Sequence, residues 1–156
     1  MLSPYEFTIG KIEDAKPLSL ILPTSKYEET MLVGQSNKAA VAVFLTGHHK
    51  ALFIESEGNK SWGGLIIPDV RIEIDETSCV DAYNTDAPFL SVTRIDTRLV
   101  VAGKSEGSFG RSTLITLHDN LTSAGEYQAA FTKWQVVVGE GQNTRVVWSM
   151  PDSGNP

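Results

Sequence analysis

A chain of 156 residues, 41% apolar and 21% charged, has the size and composition of one globular domain. Its net charge of -6 argues against nucleic-acid and anionic-membrane binding, because both need clustered Lys and Arg and the thirteen bases here are scattered. A single cysteine, Cys79, excludes an intramolecular disulfide and points to a cytoplasmic rather than a secreted protein.

The opening residues, MLSPYEFTIGKIEDAKP, lack a basic start and a long apolar segment, so no secretory leader is expected. The longest apolar run, residues 39–45, is far short of a membrane span. Residues 5–12 read as a strand with Tyr5, Phe7 and Ile9 on one face. Residues 18–22 form a short apolar run closed by Pro23, and residues 31–33 begin another strand. Residues 39–46 (AAVAVFLT) are apolar on both faces, which predicts a central strand covered on both sides. Gly47-His48-His49-Lys50 is a hairpin turn, and residues 51–57 return from it.

Trp62-Gly63-Gly64 leads into residues 65–81, LIIPDVRIEIDETSCVD, the most strongly patterned stretch of the chain. Val70, Ile72 and Ile74 alternate with Arg71, Glu73 and Asp75, the period of a half-buried strand. Pro68 removes a ladder donor and marks a bend, a bulge or an edge. Residues 81–88 are loop. Residues 90–102 hold one long strand or two short ones, residues 103–110 (GKSEGSFG) a hairpin loop, and residues 113–118 a further strand.

The period then changes. Tyr127, Ala130, Phe131 and Trp134 recur at helical spacing, and Ser123 stands three residues before Glu126 in the capping-box pattern. This predicts one helix over residues 123–133. Residues 135–139 and 145–150 form a terminal hairpin around Glu140-Gly141-Gln142-Asn143, and residues 151–156 a frayed tail. No internal repeat or linker divides the chain, so residues 1–156 are expected to be a single domain. The fold class is mainly β, an antiparallel sandwich or partly open barrel with one helix near residues 123–133. The alternative is an α+β sheet covered by that helix. Val41, Val43, Phe53, Ile72, Ile74, Leu99, Val101, Ile115, Phe131 and Trp134 are the expected buried positions.

Charge gives the functional lead. Residues 66–86 carry six acids (Asp69, Glu73, Asp75, Glu76, Asp81, Asp86) against one base, Arg71, whereas the remainder is almost balanced. Glu73 and Asp75 share a strand face, with Cα atoms about 6–7 Å apart. Two carboxylates suit a divalent cation or an acid–base pair, but no DxDxDG-type loop supplies further ligands. The plain alternative is a solvated strand face partly neutralised by Arg71. His48 and His49 occupy a hairpin tip without enough further ligands for zinc, and His118-Asp119 has no G-x-S-x-G elbow to complete a triad. Cys79 is expected to be a buried structural thiol. No catalytic constellation, metal or cofactor is expected. The loop before Ser112 offers Phe109 and Arg111 as contact residues.

These features fit a small acidic cytoplasmic protein-binding module, most concretely an inhibitor or immunity protein that neutralises a basic toxin such as a nuclease. The partner-binding residues would be Asp69, Glu73, Asp75, Glu76, Asp81, Phe109 and Arg111, on a monomer or homodimer. Two other classes stand beside this one: a small-molecule-binding β-barrel or enzyme, and a structural subunit of a larger assembly.

Overall fold

The computed structural model describes residues 7–24, 29–35, 40–55, 62–81, 88–95, 98–103, 113–116 and 129–150. The strands of the first half are β1 (Thr8–Lys11), β2 (Ser19–Leu22), β3 (Met31–Gln35), β4 (Ala40–Phe44), β5 (Phe53–Glu55), β6 (Gly63–Ile67) and β7 (Arg71–Ile74). Those of the second half are β8 (Cys79–Asp81), β9 (Val92–Ile95), β10 (Arg98–Gly103), β11 (Thr113–Thr116), β12 (Ala129–Phe131), β13 (Trp134–Val138) and β14 (Arg145–Met150). The fold is therefore mainly β. The helical segments among the described residues are three 3-10 turns, Ile12–Asp14, Glu76–Ser78 and Gly141–Asn143.

Eleven strands form one large sheet in the order β1-β6-β2-β3-β11-β10-β9-β12-β8, with β4 and β5 branching from β3. The branch arises because β3 pairs along its length with β4 on one edge, while its other edge meets β2 and then β11. A second sheet has the order β14-β13-β7. The register of each pair is antiparallel.

The two antiparallel sheets share one core, as expected of a sandwich or partly open barrel. Leu20, Leu32, Val41, Val43, Ile67 and Val92 of the large sheet meet Trp134, Val136 and Trp148 of the small one. Ile21, Met31, Val33, Ala42, Phe44 and Ile66 point to the opposite face and pack with Ile12 and Ala15 from the first 3-10 turn. Alternate residues of β2, β3 and β4 thus serve two separate cores. That is why these strands are continuous apolar runs rather than alternating ones. Each fully buried Val, Leu or Ile contributes about 1.5–3 kcal/mol relative to exposure.

Gly63 and Gly64 let β6 lie tightly between its neighbours. A Cβ at Gly63 would stand 2.2 Å from the Gly10 carbonyl oxygen of β1, and one at Gly64 2.2 Å from the Leu22 carbonyl oxygen of β2. The hairpin turn after β4 is present, closed by Ala51 N–H donating to the Phe44 carbonyl at 2.8 Å.

The predicted helix is not formed where it can be seen. Residues 129–131 are β12, Thr132 and Lys133 make a bend, and Trp134 opens β13; residues 123–128 lie outside the described residues. Of the residues at helical spacing, Ala130 and Phe131 lie in β12 and Trp134 opens β13, on either side of a corner, and Tyr127 is outside the described residues. Phe131 pairs with Cys79 on one side and Val92 on the other, so two waiting strand edges override the local pattern. Of the expected core, Val41, Val43 and Trp134 are buried. Phe53, Ile72, Ile74 and Phe131 are only half-buried, because each sits on a short or terminal strand. Leu99, Val101 and Ile115 lie in β10 and β11, and their side chains are outside those described. No helix among the described residues is long and apolar enough to cross a membrane.

Candidate interaction surface

Within the strongly patterned stretch, β6 lies between β1 and β2, whereas β7 ends the small sheet and β8 ends the large one. β6 ends at Ile67, and Pro68-Asp69 turns the chain into β7. Asp69 is exposed with φ +55, a left-handed conformation that Asp tolerates better than most residues. The turn is tied down by Val70 N–H donating to the Leu18 carbonyl at 3.1 Å, with Val70 itself buried. β7 then alternates as its sequence predicts: Arg71 and Glu73 exposed, Ile72 and Ile74 half-buried over the main core.

Beyond β7 the chain folds around a corner. β7 pairs with β13, and β8 pairs with β12, so residues 71–81 and 129–138 form one bent antiparallel ribbon running from the small sheet into the large one. Ser78 pins the bend. Its hydroxyl accepts from Lys133 N–H at 3.0 Å, and its carbonyl accepts from Thr132 N–H at 3.3 Å. The Glu76–Ser78 turn is capped by Asp75, whose Oδ1 accepts from the Thr77 hydroxyl at 2.6 Å and from Thr77 N–H at 2.9 Å. These two hydrogen bonds, with a smaller contribution from the charge of Lys133, hold the Asp75 carboxyl below the usual carboxylate range.

The acids are consequently distributed unevenly. Glu73, Asp75 and Glu76 are exposed together at the corner, and Asp69 lies at the other end of β7. Arg71 makes no direct ion pair with Glu73 or Asp75 among the described residues: its Nη1 donates to the Gly139 carbonyl in the turn after β13. Glu73 Oε1 instead accepts from Gln135 Nε2 at 2.8 Å. A groove of about 550 Å³ opens beside these groups, lined by Glu73, Asp75, Lys133, Gln135, Ser149 and Met150 among others. Asp81 pairs through its backbone with Ala129, and its side chain is outside those described. Asp86, Phe109 and Arg111 lie outside the described residues. Cys79 corrects the expectation of a buried thiol: it is exposed, on a strand that ends its sheet among the described residues.

Sequence reasoning missed Thr77, Lys133 and Gln135 as neighbours of the acids. The spacing Asp75-Glu76-Thr77 is an N-cap signal legible in the sequence. Lys133 and Gln135 were beyond reach once residue 133 was assigned to a helix. A second cluster also went unread. His49 Nδ1 lies 2.9 Å from Glu29 Oε1, while its ring packs on Phe44 and Trp62 with centroids 5.2 and 5.7 Å away. Among the described residues no group of three or more His, Cys, Asp or Glu is placed to hold a metal ion.

The chain is similar along almost its whole length to a protein of Sinorhizobium fredii (strain NBRC 101917 / NGR234) described as the uncharacterized protein y4lG. The two are 55% identical over 152 residues, covering 97% of this chain and 94% of that protein. No solved structure matches the chain. The family profile described as uncharacterised protein y4lG matches residues 9–155, and the chain belongs to that family.

Proposed function

We propose that this protein is an acidic protein-binding module that covers a basic partner in the cytoplasm. The most concrete form is an inhibitor or immunity protein neutralising a basic toxin such as a nuclease. One observation supports it above the others: Glu73, Asp75 and Glu76 are exposed at one corner, where Lys133 is the nearby base and Arg71 is engaged elsewhere. A patch of this kind steers a basic protein toward it and can occupy a phosphate-binding cleft.

The test is the double variant Glu73→Lys with Asp75→Lys, measured against the basic product of an adjoining gene. Association at low salt is expected to slow by about an order of magnitude or more. At about 1 M salt the Debye length falls to about 3 Å, and most of the difference should vanish. An unchanged association rate at low salt removes the acidic corner from the interface. The volume of the groove also falls within the range of small-molecule sites. That second reading predicts a thermal shift with a metabolite, lost on Gln135→Ala.

A further inference from the structure

The bent ribbon has one border that no other described strand pairs with. β13 covers one side of β7, and β12 covers one side of β8. β7 ends the small sheet and β8 ends the large one. β7 and β8, separated by the Glu76–Ser78 turn, therefore each present an outer edge to which no strand is paired among the described residues.

The ladder fixes which backbone groups face outward. Asp75 N–H donates to the Lys133 carbonyl at 3.0 Å, so the N–H of Asp75 faces β13's side of the ribbon. Antiparallel ladders alternate, which makes Glu73 with Gln135 and Arg71 with Val137 the hydrogen-bonded pairs in this register. The N–H and C=O groups of Ile72 and Ile74 point the opposite way, toward the open border. Their side chains border a hollow of about 190 Å³ with Phe131 and Glu76. An unpaired edge of this kind is ordinarily blunted by proline, a bulge, a lysine or an inward-pointing charge. β7 (RIEI) has no proline, its inward residues are apolar, and its ladder with β13 runs without a register shift. Its outward residues are Arg71 and Glu73, and with Asp75 and Glu76 just beyond them the acids outnumber the base, so this face disfavours an acidic strand more than a basic one.

We propose that the outer edge of β7 receives an extended basic segment of a protein partner, added antiparallel as a fourth strand of the small sheet. Its residues alternate. Basic side chains lie beside Glu73 and Asp75 on the outer face, and apolar ones enter the hollow formed by Ile72, Ile74 and Phe131. A second copy of this chain is the competing occupant that the experiment must separate: the register that pairs Ile72 with Ile74 of another copy sets Glu73 opposite Glu73 but Arg71 opposite Asp75. The inference rests on the acidic binding surface proposed above and adds the mode of recognition to it.

The experiment uses the full chain and three synthetic peptides of equal composition and charge. One alternates lysine with valine, one carries the same residues in two blocks, and one alternates but is N-methylated on its valines. In the antiparallel register the valines stand opposite Ile72 and Ile74 and donate to them, so methylation removes the ladder and keeps the charge. The alternating peptide is expected to bind about tenfold or more tightly than either of the others, and to slow amide hydrogen exchange at Ile72 and Ile74. Equal binding of all three peptides, abolished by Glu73→Lys with Asp75→Lys, overturns strand addition and leaves the acidic surface standing. Equal binding that survives the charge reversal overturns both. No binding by any peptide, or a dimer with Ile72 and Ile74 already protected in the protein alone, overturns the proposed occupant.

Discussion

Two tryptophans in the main core differ by one hydrogen bond, and that difference sets a quantitative test of the packing. Trp134 and Trp148 are 2% and 8% exposed and lie with ring centroids 4.8 Å apart. Trp134 Nε1 donates to the Leu90 carbonyl at 2.7 Å, whereas Trp148 Nε1 has no partner among the described residues. Leu90 is buried with φ +62, a left-handed conformation a leucine seldom adopts, so this hydrogen bond also holds a strained turn in place. Trp→Phe at either position removes a similar ring volume, about 2 kcal/mol at roughly 0.8 kcal/mol per buried methylene-sized group. At Trp134 the Leu90 carbonyl is also left without its donor, which adds about 1–3 kcal/mol. At Trp148 the substitution removes an unpaired buried N–H, which offsets the volume loss by a comparable amount. Trp134→Phe should therefore cost about 3–5 kcal/mol and Trp148→Phe about 0–1 kcal/mol. Urea unfolding followed by far-UV circular dichroism separates them, since domains of this size hold only about 5–15 kcal/mol in total. Equal losses within about 0.5 kcal/mol, or a larger loss at Trp148, would refute the assignment of the hydrogen bond as the distinguishing contact.

Three further outcomes follow from named contacts. Gly63→Ala places a methyl group against the Gly10 carbonyl and should cost about 1–3 kcal/mol, with hydrogen-exchange protection lost first across β1 and β6; unaltered protection there would contradict the close approach. Phe44→Ala empties the second core at a residue 1% exposed and should cost about 3–5 kcal/mol in urea unfolding, and a loss under about 1 kcal/mol would place Phe44 near the surface. Asp75 should titrate by carboxyl NMR below the ordinary aspartate range, and Thr77→Val should raise its midpoint while Thr77→Ser leaves it in place. Because the folded-state value is the lower one, the Asp75 contribution is fully present above the unfolded-state value. It is lost as pH falls through the folded-state value, so Thr77→Val should leave the slope of stability against pH unaltered near neutrality and flatten it on the acid side.

The parts of this fold that were legible in the sequence are those in which side-chain pattern alone decides the structure. β4 reads as a central strand because both faces are apolar, and it is central because it feeds two cores at once. β7 reads as half-buried because its alternation is strict. The terminal hairpin of β13 and β14 needed only local turn chemistry between two apolar runs. What pattern could not supply was long-range pairing. Nothing in residues 129–134 announces that two strand edges wait for Phe131, or that the bend at Thr132 and Lys133 will be fastened to Ser78. Arg71 looked like the counter-charge of Glu73 and Asp75 on sequence distance. In the fold its guanidinium donates to a carbonyl that lies 68 residues away in the chain rather than to either carboxylate.

That placement bears on why the acids are where they are. A sheet border with apolar inward residues and free backbone groups is an aggregation hazard unless something selects against casual partners. Outward carboxylates at Glu73 and Asp75, with Glu76 just beyond, make that selection by charge, because an acidic strand meets like charge there. They add little to the stability of the fold itself, since exposed strand-face charges contribute about 0–1 kcal/mol. On the reading proposed here the same three groups that keep the border unpaired in the free protein also choose its partner, since a basic strand alone gains from approaching it. Protection and recognition would then be one property of β7, and a substitution that weakens the first should change the second. Glu73→Lys with Asp75→Lys should both lose the basic partner and admit acidic strands that the natural chain rejects.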